Sequence, residues 1–196
     1  MLTSEEKNAI IALIHRQVVP AIGCTEPIAV ALCVAKAKEM LGVLPEKIEV
    51  SLSANILKNA MGVGIPGTGM TGLPIAIALG ALIGRSELEL EVLQDCNRAA
   101  VEEGKKYIAG GRIRIRLKED APDKLYIAAI CQADGHETEA RIATGHTHFV
   151  YLRKDDKVEM DHPIHSTEDE EEDEVALTLR KVYDFATETD VEDLHF

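Results

Sequence analysis

The sequence predicts an α+β fold in which helices pack on a mixed, mainly antiparallel sheet. Three observations support this class. Capped apolar segments of helical character fill most of the first 110 residues. The region from Arg112 to Met160 then alternates apolar and polar residues with the period of a strand. Within it, Asp134-Gly135 separates two such segments and is a strong two-residue hairpin signal.

Two helices are predicted at the start of the chain. Thr3 and Glu6 form a T-x-x-E capping box, and the apolar stripe behind them should end near Pro20. The second helix begins at the A-I-G-C-T-E-P stretch and ends at Gly42. Because it is apolar or alanine almost all round, we expect it to be central and covered on several sides.

Cys24 lies directly before that second helix. Thr25 is the expected N-cap, with Glu26 and Pro27 in the first turn, so Cys24 should lie just outside a helix N-terminus. That position favours the thiolate, the form of cysteine that attacks electrophiles and binds metals. The alternative is a small buried hydrophobic residue, the commonest role of a free cysteine.

The strand predicted at 48–52 leads into a short helix with a polar face. Asn55, Lys58 and Asn59 fall at i, i+3 and i+4, so one face offers a cation and two amides. Either this face binds a ligand or it is simply solvated.

The segment from Gly62 to Gly72 carries five glycines in eleven residues. It matches neither a Rossmann fingerprint, because it follows a helix and contains Pro66, nor a Walker A loop, because Thr68 replaces the lysine. Its backbone N–H groups could approach an anion such as a substrate carboxylate. A close helix crossing is the alternative use of the glycines. Pro74 then opens an apolar helix that continues through Ile83.

A longer helix is predicted from the Ser86 and Glu89 capping box to about Ala109, with Cys96 on its buried face. Strands follow at 113–117, with arginines on the outer face, and at 124–132, 136–143 and 146–152. His146 and His148 should project from one face of the last of these strands. We interpret them as an exposed pair, since no third metal ligand is near.

These elements predict three regions. An α+β domain covers residues 1–160, an acidic linker covers 161–174, and residues 175–196 start an incomplete second domain. Every residue from Glu168 to Glu174 is acidic, as is typical of a solvated, flexible segment.

Composition excludes several classes of partner. A formal charge of −13 argues against nucleic acid and anionic membranes. The longest apolar segment, around Leu73 to Ile83, is too short to span a bilayer, and no secretory leader opens the chain, so a cytoplasmic location is expected. The four cysteines are widely spaced, unlike a disulfide framework or a self-contained zinc site.

Three motifs, taken in order, resemble a known family. They are G-C-T-E-P at 23–27, S-A-N-I-L-K-N-A at 53–60 and G-I-P-G-T-G at 64–69. Together they are similar to the N-terminal half of the L-cysteine desulfidase family, whose members resemble the alpha part of iron-sulfur L-serine dehydratases. The similarity extends to G-H-T-H at 145–148 and V-Y-D-F at 182–185.

The resemblance implies a lyase with a [4Fe-4S] cluster and no pyridoxal phosphate, which converts L-cysteine to pyruvate, ammonia and sulfide. Cys24 matches one cluster ligand. Family members are longer, and the other ligands lie in a C-terminal half that this chain lacks, so we expect the chain alone to be inactive and to bind no cluster. L-serine is the other candidate substrate, and a complementary half or subunit is the expected partner; a homo-oligomer is left open.

Substrate binding is assigned as a hypothesis, and the catalytic base stays unassigned. Lys58 and the N–H groups around Gly67 and Gly69 would hold the substrate carboxylate, with hydrogen-bonding neighbours beside them. The complete predicted set is Thr25, Glu26, Asn55, Lys58, Asn59, Gly67, Thr68 and Gly69. Two other classes of function remain: a non-catalytic amino-acid binding module and a structural partner subunit.

Overall fold

A computed structural model describes residues 2–164 and 176–194 and has the predicted α+β fold. The chain divides into two compact units. The larger unit comprises residues 21–166, and the smaller one combines residues 1–20 with 167–196. The acidic segment at 168–174, with most of the predicted linker, lies outside the described residues.

A six-stranded sheet forms one layer of the larger unit. Its strand order is β4-β1-β5-β6-β7-β8, in which β4 and β1 are parallel and every other pair is antiparallel. The sheet is therefore mixed and mainly antiparallel. Its strands are β1 (Lys47–Leu52), β4 (Ile113–Leu117), β5 (Tyr126–Ala133), β6 (His136–Ala143), β7 (Phe149–Lys154) and β8 (Lys157–Asp161).

One face of the sheet forms the floor of the hydrophobic core. Ile48, Val50 and Leu52 of β1 alternate with polar residues, as predicted, and are fully buried. The predicted hairpin at Asp134-Gly135 joins β5 to β6, and both turn residues have positive φ angles, 53° and 77°. That geometry suits the right-handed twist of the flanking strands, so the local turn residues fix this register.

Helices cover that face. The larger unit contains α2 (Thr25–Leu41), α3 (Ala54–Ala60), α4 (Leu73–Leu82) and α5 (Arg98–Ala109). The central helix α2 packs on β5 and β6 on one side and on α4 on another, which explains its apolar residues all round. It ends where predicted, at Gly42, which adopts the left-handed conformation with φ 85°.

The contact between α2 and α4 depends on glycine. A Cβ atom at Gly80 would lie 2.5 Å from the Ala31 carbonyl oxygen, so the two helix backbones touch there. One turn further on, a Cβ atom at Gly84 would lie 2.7 Å from Ala35 Cβ. The close helix crossing considered for the glycine-rich segment is therefore made by glycines beyond it.

The helix predicted from Ser86 to Ala109 is wrong. Residues Ser86–Glu91 form a 3-10 helix in which Glu89 has a φ of 48°, and α5 begins only at Arg98. Asn97 caps α5 by accepting hydrogen bonds from the Ala99 and Ala100 N–H groups. Cys96 consequently lies in the connection and is half-buried, not in the core as predicted.

The predicted strand at 146–152 also needs correction. Strand β7 begins at Phe149, and His146 lies in a turn that the Ala143 N–H to His148 carbonyl hydrogen bond closes. Thr144 opens this turn with a φ of 65°. His146 and His148 are therefore not neighbours on one strand face, and His148 instead contacts the Thr144 hydroxyl at 2.9 Å.

The smaller unit contains α1 (Ser4–Gln17), α6 (Leu179–Glu188) and a 3-10 turn at Val191–Leu194. The predicted capping box is present, because the Glu6 N–H donates to Thr3 Oγ1 and the Thr3 N–H donates to Glu6 Oε2. Ion pairs from Lys181 to Glu6, at 2.9 Å, and from Lys7 to Asp193, at 2.6 Å, join the two ends of the chain.

None of the helices within 2–164 and 176–194 combines the length and apolarity that crossing a membrane requires.

Candidate functional site

Several loops of the larger unit meet at one end of the sheet, where β1 ends and β5 begins. Ser53, the N-cap of α3, donates its hydroxyl to the Lys124 carbonyl at 2.7 Å and its N–H to the Tyr126 carbonyl at 3.0 Å. Thr144 donates its N–H to the neighbouring Leu125 carbonyl. These bonds place the start of α3 and the turn containing His146 on either side of the same short segment.

Cys24 is the N-cap of α2 and Thr25 is the first helical residue, so the helix begins one position earlier than predicted. The half-buried thiol donates to Glu26 Oε2 at 2.9 Å. Burial, and then this hydrogen bond to a carboxylate, raise the pKa of Cys24. The expectation of a thiolate favoured by the helix dipole is therefore wrong for this chain, because burial and then the adjacent carboxylate favour the protonated thiol.

Glu26 connects two of the motifs. Its Oε1 accepts a hydrogen bond from Asn59 Nδ2 at 3.1 Å, while its Oε2 accepts from Cys24 and, at 3.3 Å, from the Thr25 hydroxyl. The pKa of Glu26 is lowered, first by the Cys24 hydrogen bond and also by Asn59 and the charge of His146. A carboxylate is thus held ionised by donors from two helices and by a histidine from a turn.

The polar face of α3 is only partly engaged by these contacts. Asn59 reaches Glu26, whereas Asn55 and Lys58 are exposed. Among the described residues, no carboxylate lies within ion-pair distance of the Lys58 ammonium. An unneutralised cation one residue from Asn59 is available to an anionic ligand.

The glycine-rich segment forms a small hairpin of β2 (Gly64–Ile65) and β3 (Met70–Thr71). Gly67 and Gly69 take φ angles of 76° and 64°, which only glycine adopts without strain. The Thr68 hydroxyl donates to the Ile65 carbonyl at 2.6 Å and accepts from the Met70 N–H at 2.9 Å, so it holds the turn together. The N–H groups of Gly67 and Gly69, which were predicted to bind a carboxylate, therefore lie in the turn of this hairpin, and the Thr68 hydrogen bonds hold that turn in place.

This hairpin packs directly against the cysteine loop. A Cβ atom at Gly23 would lie 2.7 Å from Pro66 Cγ, and a Cβ atom at Gly67 would lie 3.8 Å from Cys96 Sγ. Cys24 and Cys96, the two half-buried cysteines, thus lie in segments that contact neighbouring residues of one hairpin.

The other two cysteines are core residues. Cys33 and Cys131 are fully buried. The Cys33 thiol donates to the Ala140 carbonyl at 3.2 Å, and burial raises its pKa strongly. Burial raises the pKa of Cys131 to about 12. Neither thiol is accessible to a ligand.

The part of the chain that the structure describes does not assemble the donors for a whole metal site. Within residues 2–164 and 176–194, no group of three or more His, Cys, Asp or Glu side chains is arranged to hold a metal ion. Cys24 could supply one ligand, since its sulfur is partly accessible and a metal would displace the thiol proton. The described residues fit one corner of an iron-sulfur cluster, and further ligands would have to come from outside them.

Sequence reasoning grouped part of this site and missed part of it. Cys24, Glu26 and Asn59 belong to the predicted set and are hydrogen-bonded to one another. His146 is absent from the predicted set because the pattern offered no third metal ligand near His146 and His148, and they were interpreted as an exposed pair. The signal that could have found His146 is the G-H-T-H motif at 145–148, because two histidines in a short motif are unusual for a solvated turn.

Comparison with known proteins gives relatives of considerable similarity. The chain is 62% identical over 195 residues to a UPF0597 protein of Bacteroides fragilis, and 62% identical over 196 residues to one of Bacteroides thetaiotaomicron. A UPF0597 protein of Aeromonas hydrophila is 38% identical over 189 residues. No family model and no solved structure matches the chain. The chain covers only 46% of the length of each Bacteroides relative, so it is similar throughout to slightly less than half of a UPF0597 protein.

Proposed function

We propose that this chain is the N-terminal part of an iron-sulfur-dependent amino-acid lyase that resembles L-cysteine desulfidase. The reaction consumes L-cysteine and water and yields pyruvate, ammonia and sulfide; L-serine would give water in place of sulfide. The observation that supports this proposal most is the hydrogen-bonded series Cys24, Glu26 and Asn59, which joins two of the three motifs behind the family resemblance. A cytoplasmic location goes with the proposal, and four free cysteines are consistent with it.

Cys24 is the residue proposed to hold the cluster. When bound, the cluster would supply a Lewis-acidic iron to the leaving sulfur or hydroxyl of the substrate. Its remaining ligands are proposed to come from the part of a longer protein, or from a partner subunit, that this chain does not contain. The relatives' greater length supports that division of ligands.

Lys58 is proposed to bind the substrate carboxylate. Its ammonium is exposed and carries a charge that no described carboxylate neutralises, and Asn55 lies on the same helix face. The N–H groups of Gly67 and Gly69 would add hydrogen bonds at the hairpin tip. Thr68 holds that tip in place.

Two other side chains are proposed to orient and move protons. Glu26 would fix the Asn59 amide and the first turn of α2, since it accepts hydrogen bonds from both. His146 is the candidate to accept the substrate α proton at a ring nitrogen, because imidazole exchanges protons readily near neutral pH. The protonated imidazole that results would lie near enough to Glu26 for its charge to lower the pKa of that carboxylate.

A chimera tests the proposal. This chain would replace the matched region of the Bacteroides thetaiotaomicron UPF0597 protein, and the product would be purified without oxygen and assayed for pyruvate and sulfide from L-cysteine. We expect turnover, its loss in Cys24→Ser, and a KM raised by about tenfold or more in Lys58→Met, as for the loss of a charge-assisted contact. Lys47→Met, at the opposite end of β1, is the matched control and should leave KM unchanged.

Other outcomes separate the alternatives. Calorimetric binding of L-cysteine to the chimera without turnover would favour the amino-acid binding module. No turnover and no binding, in the chimera and in the intact relative alike, would contradict the lyase proposal and favour a structural role.

A further inference from the structure

Exposed apolar side chains concentrate in one short part of the smaller unit. The described residues include twelve large apolar side chains that are exposed, and five of them fall within residues 177–191. Three belong to α6: Leu179 is 91% exposed, Tyr183 is 64% exposed and Val182 is 49% exposed. Leu177 and Val191 flank the helix on either side.

The three helical residues form a continuous stripe. Leu179, Val182 and Tyr183 occupy positions i, i+3 and i+4, which lie on one face of a helix. Thr178 fixes the start of that helix, since its hydroxyl accepts a hydrogen bond from the Lys181 N–H at 3.2 Å. We call this set the α6 stripe.

A different face of α6 is already occupied. Phe185 is buried, and Lys181 forms its ion pair with Glu6 of α1. A ten-residue helix is not stable by itself in water and depends on packing for its stability. A helix that buries one face and leaves a second apolar stripe in solvent has the pattern of an element with a second packing partner.

We propose that the α6 stripe is the docking surface for the portion of a UPF0597 chain that lies outside the region similar to this one. The occupant is inferred from length, because that portion makes up more than half of the Bacteroides relatives, of which this chain covers 46%. The inference rests on the proposed function only in taking this chain to work as part of a larger assembly.

Charge disfavours a second copy as the occupant. Each chain carries a formal charge of −13, and exposed acids follow the stripe at Glu188, Asp190 and Glu192, whereas the Asp184 and Asp193 carboxylates are paired with Arg180 and Lys7. Two identical stripes facing each other would bring these acids together and raise the repulsion between the copies. A partner of different sequence avoids this repulsion.

Tyrosine nitration tests the docking surface with internal controls. The reagent would be tetranitromethane, applied to this chain alone and to the chimera described above, with the modified sites identified by mass spectrometry. Tyr183 is exposed, Tyr151 is half-buried, and Tyr107 and Tyr126 are buried. In the chimera, we expect nitration of Tyr183 to slow by about fivefold or more, because the centre of an interface excludes water and with it the reagent. Nitration of Tyr151 should change little. Unreacted Tyr107 and Tyr126 report that both proteins are folded.

Substitution of the stripe provides a second test. The double change Leu179→Ser and Val182→Ser should restore rapid nitration of Tyr183 in the chimera. The matched control is Val158→Ser, which removes a comparably exposed apolar side chain from β8 and should leave Tyr183 protected.

Two results would overturn the proposal. Equal nitration of Tyr183 in the chain alone and in the chimera would show that nothing covers the stripe. Protection in the chain alone that rises with protein concentration, with a dimer in sedimentation equilibrium, would identify a second copy as the occupant. None of these measurements uses turnover, so a protected Tyr183 would leave the docking surface standing even where the chimera and the intact relative both lack turnover and binding and thereby contradict the lyase proposal.

Discussion

The middle and the beginning of helix α2 use the same residue type in opposite ways. Cys33, in the middle, is fully buried, and its thiol donates to a carbonyl of β6. Cys24, at the beginning, is half-buried, and its thiol donates to a carboxylate that also binds Asn59. Burial raises the pKa of both thiols, but only the Cys24 thiol donates to a charged group, the Glu26 carboxylate, whereas the Cys33 thiol donates to a backbone carbonyl.

The difference shows that the middle of one helix can contribute to folding stability while its first residues determine reactivity. In the middle, the backbone contact between Ala31 and Gly80 leaves no room for a change in volume. At the start, hydrogen bonds link side chains from separate segments, and these bonds can be altered without opening the core. Changes in the middle should therefore reduce folding stability, and changes at the start should alter reactivity.

The largest effect is expected at the helix crossing. Gly80→Ala would place a Cβ atom 2.5 Å from a backbone oxygen, and we expect it to lower the free energy of unfolding by about 3 kcal/mol. Urea denaturation measures this change. The matched control is Gly64→Ala, where no atom lies within 4 Å of the new Cβ, and its effect should stay under about 1 kcal/mol. Equal losses in the two variants would contradict a close crossing.

Thiol alkylation compares the reactivity of Cys24, at the start of α2, with that of Cys33, in its middle. In the folded protein, Cys24 should react with iodoacetamide at least about 100-fold faster than Cys33, because a fully buried thiol reacts only after local opening. Site-resolved mass spectrometry over time gives both rates. If Cys33 reacted in native buffer as fast as Cys24, and as fast as it does in urea, the core around Cys33 would be open.

A smaller effect is expected from Glu26→Gln. Because Glu26 raises the pKa of Cys24 through its hydrogen bond and negative charge, neutralising it should lower that pKa and increase the thiolate fraction. We expect the alkylation rate of Cys24 at pH 8 to rise by about threefold to tenfold. Glu46→Gln, an exposed carboxylate away from Cys24, is the control and should leave the rate unchanged. A slower reaction in Glu26→Gln would give Glu26 the role of a base towards the thiol instead.

The smallest effect concerns stability against acid. The pKa of Glu26 is lowered from 4.5 in the folded protein, so the carboxylate contributes stability above that pH and loses it as the pH falls further. For this partly exposed group, Glu26→Gln should cost less than about 1 kcal/mol at pH 7. The difference from the wild type should shrink as the pH falls below 4.5 and through the lowered pKa of the folded protein. Urea midpoints measured from pH 3 to pH 7 check this, and a difference that grows towards low pH would refute it.

Local sequence signals predicted the elements whose partners are near in the chain. The Thr3 and Glu6 capping box, the Gly42 end of α2 and the Asp134-Gly135 hairpin are determined by residues within a few positions. The fold class followed from such signals. Among the site residues, Cys24, Glu26 and Asn59 could be chosen by motif, but the bonds between them depend on packing that no local pattern contains.

The errors have a tertiary cause. Ser86 was predicted to cap a helix, but its hydroxyl and its N–H both donate to the Glu39 carboxylate, which lies far away in the sequence. The capping pattern is present in the sequence, but the Ser86 side chain binds Glu39 and does not cap a helix. His146 was misplaced because a left-handed Thr144 starts a turn that an apolar and polar alternation does not reveal.

The contact between Gly23 and Pro66 has a consequence for how such sequences can diverge. Any side chain at position 23 would collide with the proline ring, and the glycine φ of 88° also disfavours other residues. Replacement of Gly23 therefore requires a simultaneous change in the hairpin. In an alignment of relatives, the two positions should covary, and lineages that have lost Pro66 should be the ones in which residue 23 is free to drift.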